Sequence, residues 1–199
     1  MNDVLSALKQ KKLQIIKISM PHYLYQTTEQ SRAYEAATNE NISYQKNLDQ
    51  PISNLITGNI ESLCKDLDKK IYFIDLGPGY PSKSLTLIDT MKNLGHKITY
   101  FPVDVSPFFL KRATSVVGSR DIHCIPLSER FENLSLVLDP KLFKQDGKRF
   151  IFLGLTFNNF EPNYIVGILS QLANKGDRCV ICCQSPSGIT KNNLIFPYK

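Results

Sequence analysis

One stretch restricts the fold more than any other: Ile71-Tyr72-Phe73-Ile74-Asp75-Leu76-Gly77-Pro78-Gly79-Tyr80-Pro81-Ser82-Lys83-Ser84. Four consecutive apolar residues, an acid and a Gly-x-Gly turn describe a buried strand that stops abruptly at a backbone bend. Beyond the bend, Leu85, Leu87, Ile88, Met91 and Leu94 recur at helical spacing until Gly95. Strand, glycine turn and helix in that order form a cradle for a nucleotide-like ligand. Glycine lets the backbone approach the ligand closely, and the helix N-terminus presents N–H groups to it. A glycine pair alone is weak evidence, and it gains weight here from a second strand and acid downstream at a suitable distance.

Lys97-Ile98-Thr99-Tyr100-Phe101-Pro102-Val103-Asp104-Val105-Ser106 reads as that second strand, and it ends on the acid. In doubly wound folds an acid at the tip of the second strand accepts hydrogen bonds from ribose hydroxyls. The interval from Gly77 to Asp104 holds one crossover helix and one strand, as that role requires. A plainer account makes Asp104 part of the N-cap of a helix starting near Pro107.

The rest of the chain keeps alternating. Phe108, Phe109, Leu110, Ala113, Val116 and Val117 predict a helix closed by Gly118, and a third strand runs from Ile122 to Leu127. Phe131, Leu134, Leu138 and Leu142 mark a crossover, Lys148 to Leu155 a fourth strand, Glu161 to Ala173 a helix, and Arg178 to Gln184 a fifth strand. Strands alternating with helices predict an α/β, doubly wound, mostly parallel sheet with right-handed crossovers and ligands at the strand C-terminal ends.

Upstream, residues 13–20 read as a short strand ended by Pro21, and a helix is expected from Thr27 to about Thr38, capped by Thr27 or Thr28. Asn39 to Asn47 is polar and loop-like and carries Tyr44. A longer helix from Leu48 or Pro51 to Leu67 would bury Ile52, Leu55, Ile56, Ile60, Leu63 and Leu67. The organisation expected is a helical extension over residues 1–68, packed on a Rossmann-like core over residues 69–199.

With 199 residues and 42% hydrophobic content, the chain is sized for one soluble globular domain plus that extension. No apolar run reaches the length of a membrane span, and no signal peptide is read. Five cysteines without disulfide-like spacing predict a reducing, cytoplasmic setting. Cys179, Cys182 and Cys183 lie in a strand-like apolar run and are read as core thiols rather than metal ligands. The net charge of +6 comes from scattered lysines, so nucleic acid is not the expected partner.

The motifs resemble those of class I S-adenosylmethionine (SAM)-dependent methyltransferases and, more narrowly, the histidine-specific methyltransferase family. Asp75-Leu76-Gly77-Pro78-Gly79 with Lys83-Ser84 is similar to the first family motif, Val103-Asp104-Val105-Ser106 to the second, and Phe152-Leu153-Gly154-Leu155-Thr156-Phe157-Asn158-Asn159-Phe160 to a third. The resemblance implies SAM as cofactor. Gly77 and Gly79 would lie against its methionine moiety, Lys83 would pair with the carboxylate, and Asp75 would sit towards the ammonium side. Asp104 would take the ribose hydroxyls and Phe131 the adenine. Tyr44 corresponds to an upstream tyrosine near cofactor and substrate, and Asn159 to an asparagine that holds the substrate's α-amine. The plainer accounts are an exposed first-turn lysine for Lys83 and ordinary turn chemistry for Asn159.

The departures are specific. Arg130 stands where the family carries an acid for the adenine amino group, and Asn158 where it carries a glycine. The segment after Gln184 is too short for the antiparallel strand pair and substrate lobe that the resemblance implies. The expectation is therefore a truncated or divergent family member, associating through an open fifth-strand edge as a homo-oligomer. Two functions are in play: methylation of the amine of a small molecule such as histidine, or a catalytically weak binding module acting through protein contacts. Methylation of nucleic acid or protein is a third and weaker reading.

Overall fold

The computed structural model describes Tyr25 and residues 27–39, 50–138 and 147–183. The strand expected over 13–20, Tyr44, Leu142 and the segment after Cys183 lie outside the described residues. In chain order the elements are α1 (Thr28–Asn39), α2 (Gln50–Cys64), β1 (Lys70–Leu76), α3 (Ser82–Asn93), β2 (Lys97–Asp104), α4 (Pro107–Gly118), β3 (His123–Cys124), β4 (Leu127–Ser128), α5 (Leu134–Val137), β5 (Lys148–Leu153), α6 (Pro162–Leu172) and β6 (Arg178–Ile181). Short 3-10 turns at Phe131–Asn133 and Leu155–Asn159 lead into and out of the second half.

Every strand pairing is parallel, and the order is β3-β2-β1-β5-β6, with β4 also on β2. A parallel sheet is covered on both faces, so its central strands are apolar throughout rather than alternating. β1 obeys this, with every residue after Lys70 buried. Tyr72, Ile74 and Leu76 pack with Phe101, Val103, Ile151 and Leu153 against α5 and α6. On the other face, Ile71, Phe73, Tyr100 and Phe150 meet Ile56 and Ile60 of α2, Leu87, Ile88 and Met91 of α3, and Ala113 and Val117 of α4.

Four sequence expectations change, and the first is at the cysteines, where Cys179 and Cys183 are exposed and Cys182 half-buried rather than core thiols. The third strand is split into two two-residue pieces. Ile125 N–H bonds the Tyr100 carbonyl at 2.8 Å, so Tyr100 and, two residues on, Pro102 turn their main-chain groups towards this edge. Pro102 has no N–H to give the Ile125 carbonyl, and the ladder lapses between the two pieces. The helix expected to reach Leu67 stops at Cys64, and Asp66 adopts a left-handed φ of 62°. Leu55, expected in the core, is 70% exposed, while Ile56 and Ile60 carry the buried stripe. At the start of α1, Thr27 is the cap. Its hydroxyl accepts from Gln30 N–H, and the Gln30 side chain accepts from Thr27 N–H, which makes a capping box.

Candidate functional site: the glycine turn and strand tips

The chain order reverses between β1 and β5, and a crevice at such a switch point is where open α/β sheets take ligands. Two turns meet there. After Leu76 the chain bends through Gly77 at φ +67° and Gly79 at φ +51°, a region that costs an L-residue about 1–2 kcal/mol. Gly77 N–H bonds the Val103 carbonyl at 2.8 Å, which seats the turn beside the tip of β2. From the β5 side, the Thr156 hydroxyl donates to the Gly77 carbonyl at 3.2 Å. A Cβ on Gly77 would stand 2.7 Å from that hydroxyl, whereas one on Gly79 would meet nothing within 4 Å. Gly77 is thus required by packing as well as by conformation, and Gly79 borders open space.

That difference is measurable. Gly77→Ala should lower unfolding stability by about 2–3 kcal/mol, strain plus overlap, and Gly79→Ala by only about 1 kcal/mol. Equal losses in urea unfolding would show that Thr156 does not close on Gly77.

Asp75, next to last in β1, is buried and points away from the α5/α6 face. Its Oδ2 accepts from Ser84 Oγ of α3 at 2.5 Å and from the Tyr100 hydroxyl of β2 at 2.6 Å. Burial pushes its carboxyl up to about 6, against the pull of the two hydroxyls and of the Lys83 charge. Lys83 itself is half-buried in the first turn of α3.

Asp104 is the last residue of β2 and is buried, with Oδ1 accepting from Ser106 N–H at 2.8 Å. The plainer helix-start role is therefore real, and the same carboxylate serves it. Burial pushes Asp104 up to about 7, the Ser106 bond works against that rise, and the nearby Asp75 charge adds to it. Asp75 and Asp104 thus stand as two raised carboxyls at neighbouring strand tips, with the Asp75 charge acting on Asp104.

Phe131 opens the 3-10 turn after β4, is buried, and lies 5.5 Å from the Phe160 ring, which stacks with Tyr164 at 6.5 Å. Arg130 beside it is exposed. Asn159 is exposed at the end of the turn after β5, and Asn158 precedes it. The structure thus sets Gly77, Gly79, Lys83, Asp104, Phe131 and Asn159 along the C-terminal edge of one sheet, with Asp75 beneath. The contacts that support them, from Thr156, Ser84, Tyr100 and Ser106, are not legible as such in the sequence. Only the places of these residues, just after strands or within the motifs, mark them.

A family model described as histidine-specific methyltransferase, SAM-dependent, matches residues 1–185. The chain belongs to this family. SAM is the cofactor on which the family depends. Among solved structures, a candidate methyltransferase from Thermobifida fusca YX is similar at 13% identity and a TM-score of 0.53, over 84% of this chain and 63% of its own. A SAM-dependent methyltransferase from Aquifex aeolicus is similar at 15% identity and a TM-score of 0.46, over 69% of this chain and 70% of its own. The first likeness shows the class I methyltransferase fold. No curated protein matches the sequence. Among the described residues, no cluster of His, Cys, Asp and Glu is arranged to hold a metal ion, and no helix is long and apolar enough to cross a membrane.

Proposed function

We propose that the chain binds SAM across the β1/β5 crevice and directs its methyl group to the amine nitrogen of a small molecule, an amino acid such as histidine being the first candidate. One observation carries this reading: a glycine turn at the switch point of the sheet stands directly beside a buried acid at the tip of β2.

The residues present fit the cofactor. Gly79 leaves open space where a Cβ would otherwise project, so the main chain there can lie against the methionine moiety. Lys83 supplies the positive charge for its carboxylate, and Asp104 the acceptor for the ribose hydroxyls. Phe131 offers an apolar surface for adenine, and Asn159 holds the substrate side, while the resemblance alone assigns Tyr44 to the cofactor. Asp75 acts from beneath, through the turn it braces. Residues 1–68 serve as a helical extension on the core 69–199.

Bound SAM brings an already activated methyl group on a sulfonium. The chain's own task is to orient the acceptor nitrogen in line with it and to exclude water. The direct test is a product-detecting assay of the full chain with SAM, offering histidine and then other amino acids. N-methylated product with multiple turnovers supports the proposal. The exposed Arg130 and Asn158, where the family pattern has an acid and a glycine, favour a binding module as second reading. SAM retained with no product from any amine would decide for that module.

A further inference from the structure

We infer that Arg112 is a positioning residue of the cofactor cradle, tying Tyr80 of the glycine turn to Glu35 of α1 so that turn and helix are ordered together. The cradle itself rests on the SAM-binding reading proposed above, whereas the tie rests on contacts that stand without a ligand.

Arg112 projects from α4. Its guanidinium carbon lies 5.3 Å from the centroid of the Tyr80 ring, and its NH2 nitrogen lies 3.3 Å from Glu35 Oε1. A planar guanidinium can do both at once, since its face meets the ring while its charge stands beside the carboxylate. Tyr80 comes directly after Gly79, so holding its ring holds the turn that borders the open space. An exposed ion pair alone contributes little. Here Glu35 is only 19% exposed, and the ring contact adds a second attachment to the same cation.

A separate contact runs from α1 to the other cofactor-side turn. Ser31 Oγ and Ser106 Oγ lie 2.7 Å apart, both buried, and Ser106 is the residue whose N–H occupies Asp104. Tyr25 and Tyr34 meet Phe109 of α4 edge to face at 6.2 and 5.9 Å, which fixes α1 along α4. One helix therefore reaches the glycine turn through Arg112 and the Asp104 turn through Ser106. A ligand that orders either turn must then favour docked α1, and docked α1 must favour the ligand by the same factor.

The experiment combines amide hydrogen exchange with titration of S-adenosylhomocysteine, using the full chain and the variants Arg112→Met, Arg112→Lys and Glu35→Gln. Arg112→Met keeps the aliphatic stem and removes the cation. It should speed exchange both in residues 28–39 and in residues 77–84, leave the central strands protected, and weaken the ligand about 3- to 10-fold. Arg112→Lys should recover part of the loss, and high salt should shrink the difference between wild type and Glu35→Gln. Faster exchange in α1 alone, in neither segment, or uniformly across the sheet would overturn the inference. If the wild-type chain takes up no S-adenosylhomocysteine, it is the cofactor reading that falls, and the exchange comparison still decides on Arg112.

Discussion

Replacing Asp104 by alanine should weaken binding of S-adenosylhomocysteine by roughly 2–4 kcal/mol, because two ribose hydroxyls would lose a charged acceptor. Calorimetry at pH 8 reads this directly, and an unchanged dissociation constant would return Asp104 to the helix-start role it already plays for Ser106 N–H. The same carboxyl carries a cost in the empty chain. Burial raises it to about 7 from an ordinary value of 3.8. A carboxyl whose folded pKa is raised holds its proton longer in the folded than in the unfolded chain, so its contribution to stability declines as pH climbs from about 4 to about 7. Asp104→Asn keeps an oxygen for Ser106 and removes the titration. In urea unfolding it should therefore gain on wild type between pH 5 and pH 8, even as it loses affinity for the ligand. Stability and binding then move in opposite directions at one residue, which a merely structural aspartate would not show.

How much of the molecule is legible in its sequence depends on the range of each interaction. β1, the glycine turn and β2 are written locally, as apolar runs buried on both faces with their turn residues attached, and the structure has them within a residue of expectation. β3 and β4 read as one strand because Ile122, Cys124, Ile125 and Leu127 look continuous. The gap comes from a proline in the neighbouring strand, and only the register of Cys124 on Tyr100 and Leu127 on Val103 sets Pro102 opposite this stretch. Leu55 and Leu67 fit the helical period of α2 yet fall outside its buried stripe, since periodicity gives a face but not its width or end. In the site, motif and resemblance name the residue types that touch a ligand. They do not name the groups that hold those residues. Thr156 meets Gly77 across 79 positions, Ser31 meets Ser106 across 75, and Tyr100 reaches Asp75 only because β2 lies beside β1 in this register.

That last contact sets the second large effect. Asp75→Ala should cost about 3–5 kcal/mol in unfolding free energy, because the Tyr100 and Ser84 hydroxyls are fully buried and would both lose their acceptor. Asp75→Asn keeps an oxygen for both and should fall well short of that loss. The pH dependence separates hydrogen bonding from charge. Asp75 is raised to about 6 from 3.8, with burial as the largest cause, so its contribution to stability is fully present below about pH 4 and is lost as pH rises through about 6. Asp75→Asn should abolish that slope. Tyr100→Phe removes one of the two donors that favour the charged form, so it should steepen the slope and cost about 1–3 kcal/mol at pH 8. Equal urea midpoints for wild type and Asp75→Ala would show that the buried hydroxyls find other partners, and the bracing role would be wrong. Ligand titration adds the functional half. If Asp75 acts only through α3 and β2, the correctly folded Asp75→Asn chain should bind S-adenosylhomocysteine within about 3-fold of wild type. A direct ionic contact with the ligand's ammonium would instead cost about 10-fold or more, since a charge-assisted hydrogen bond contributes about 1.5–3 kcal/mol.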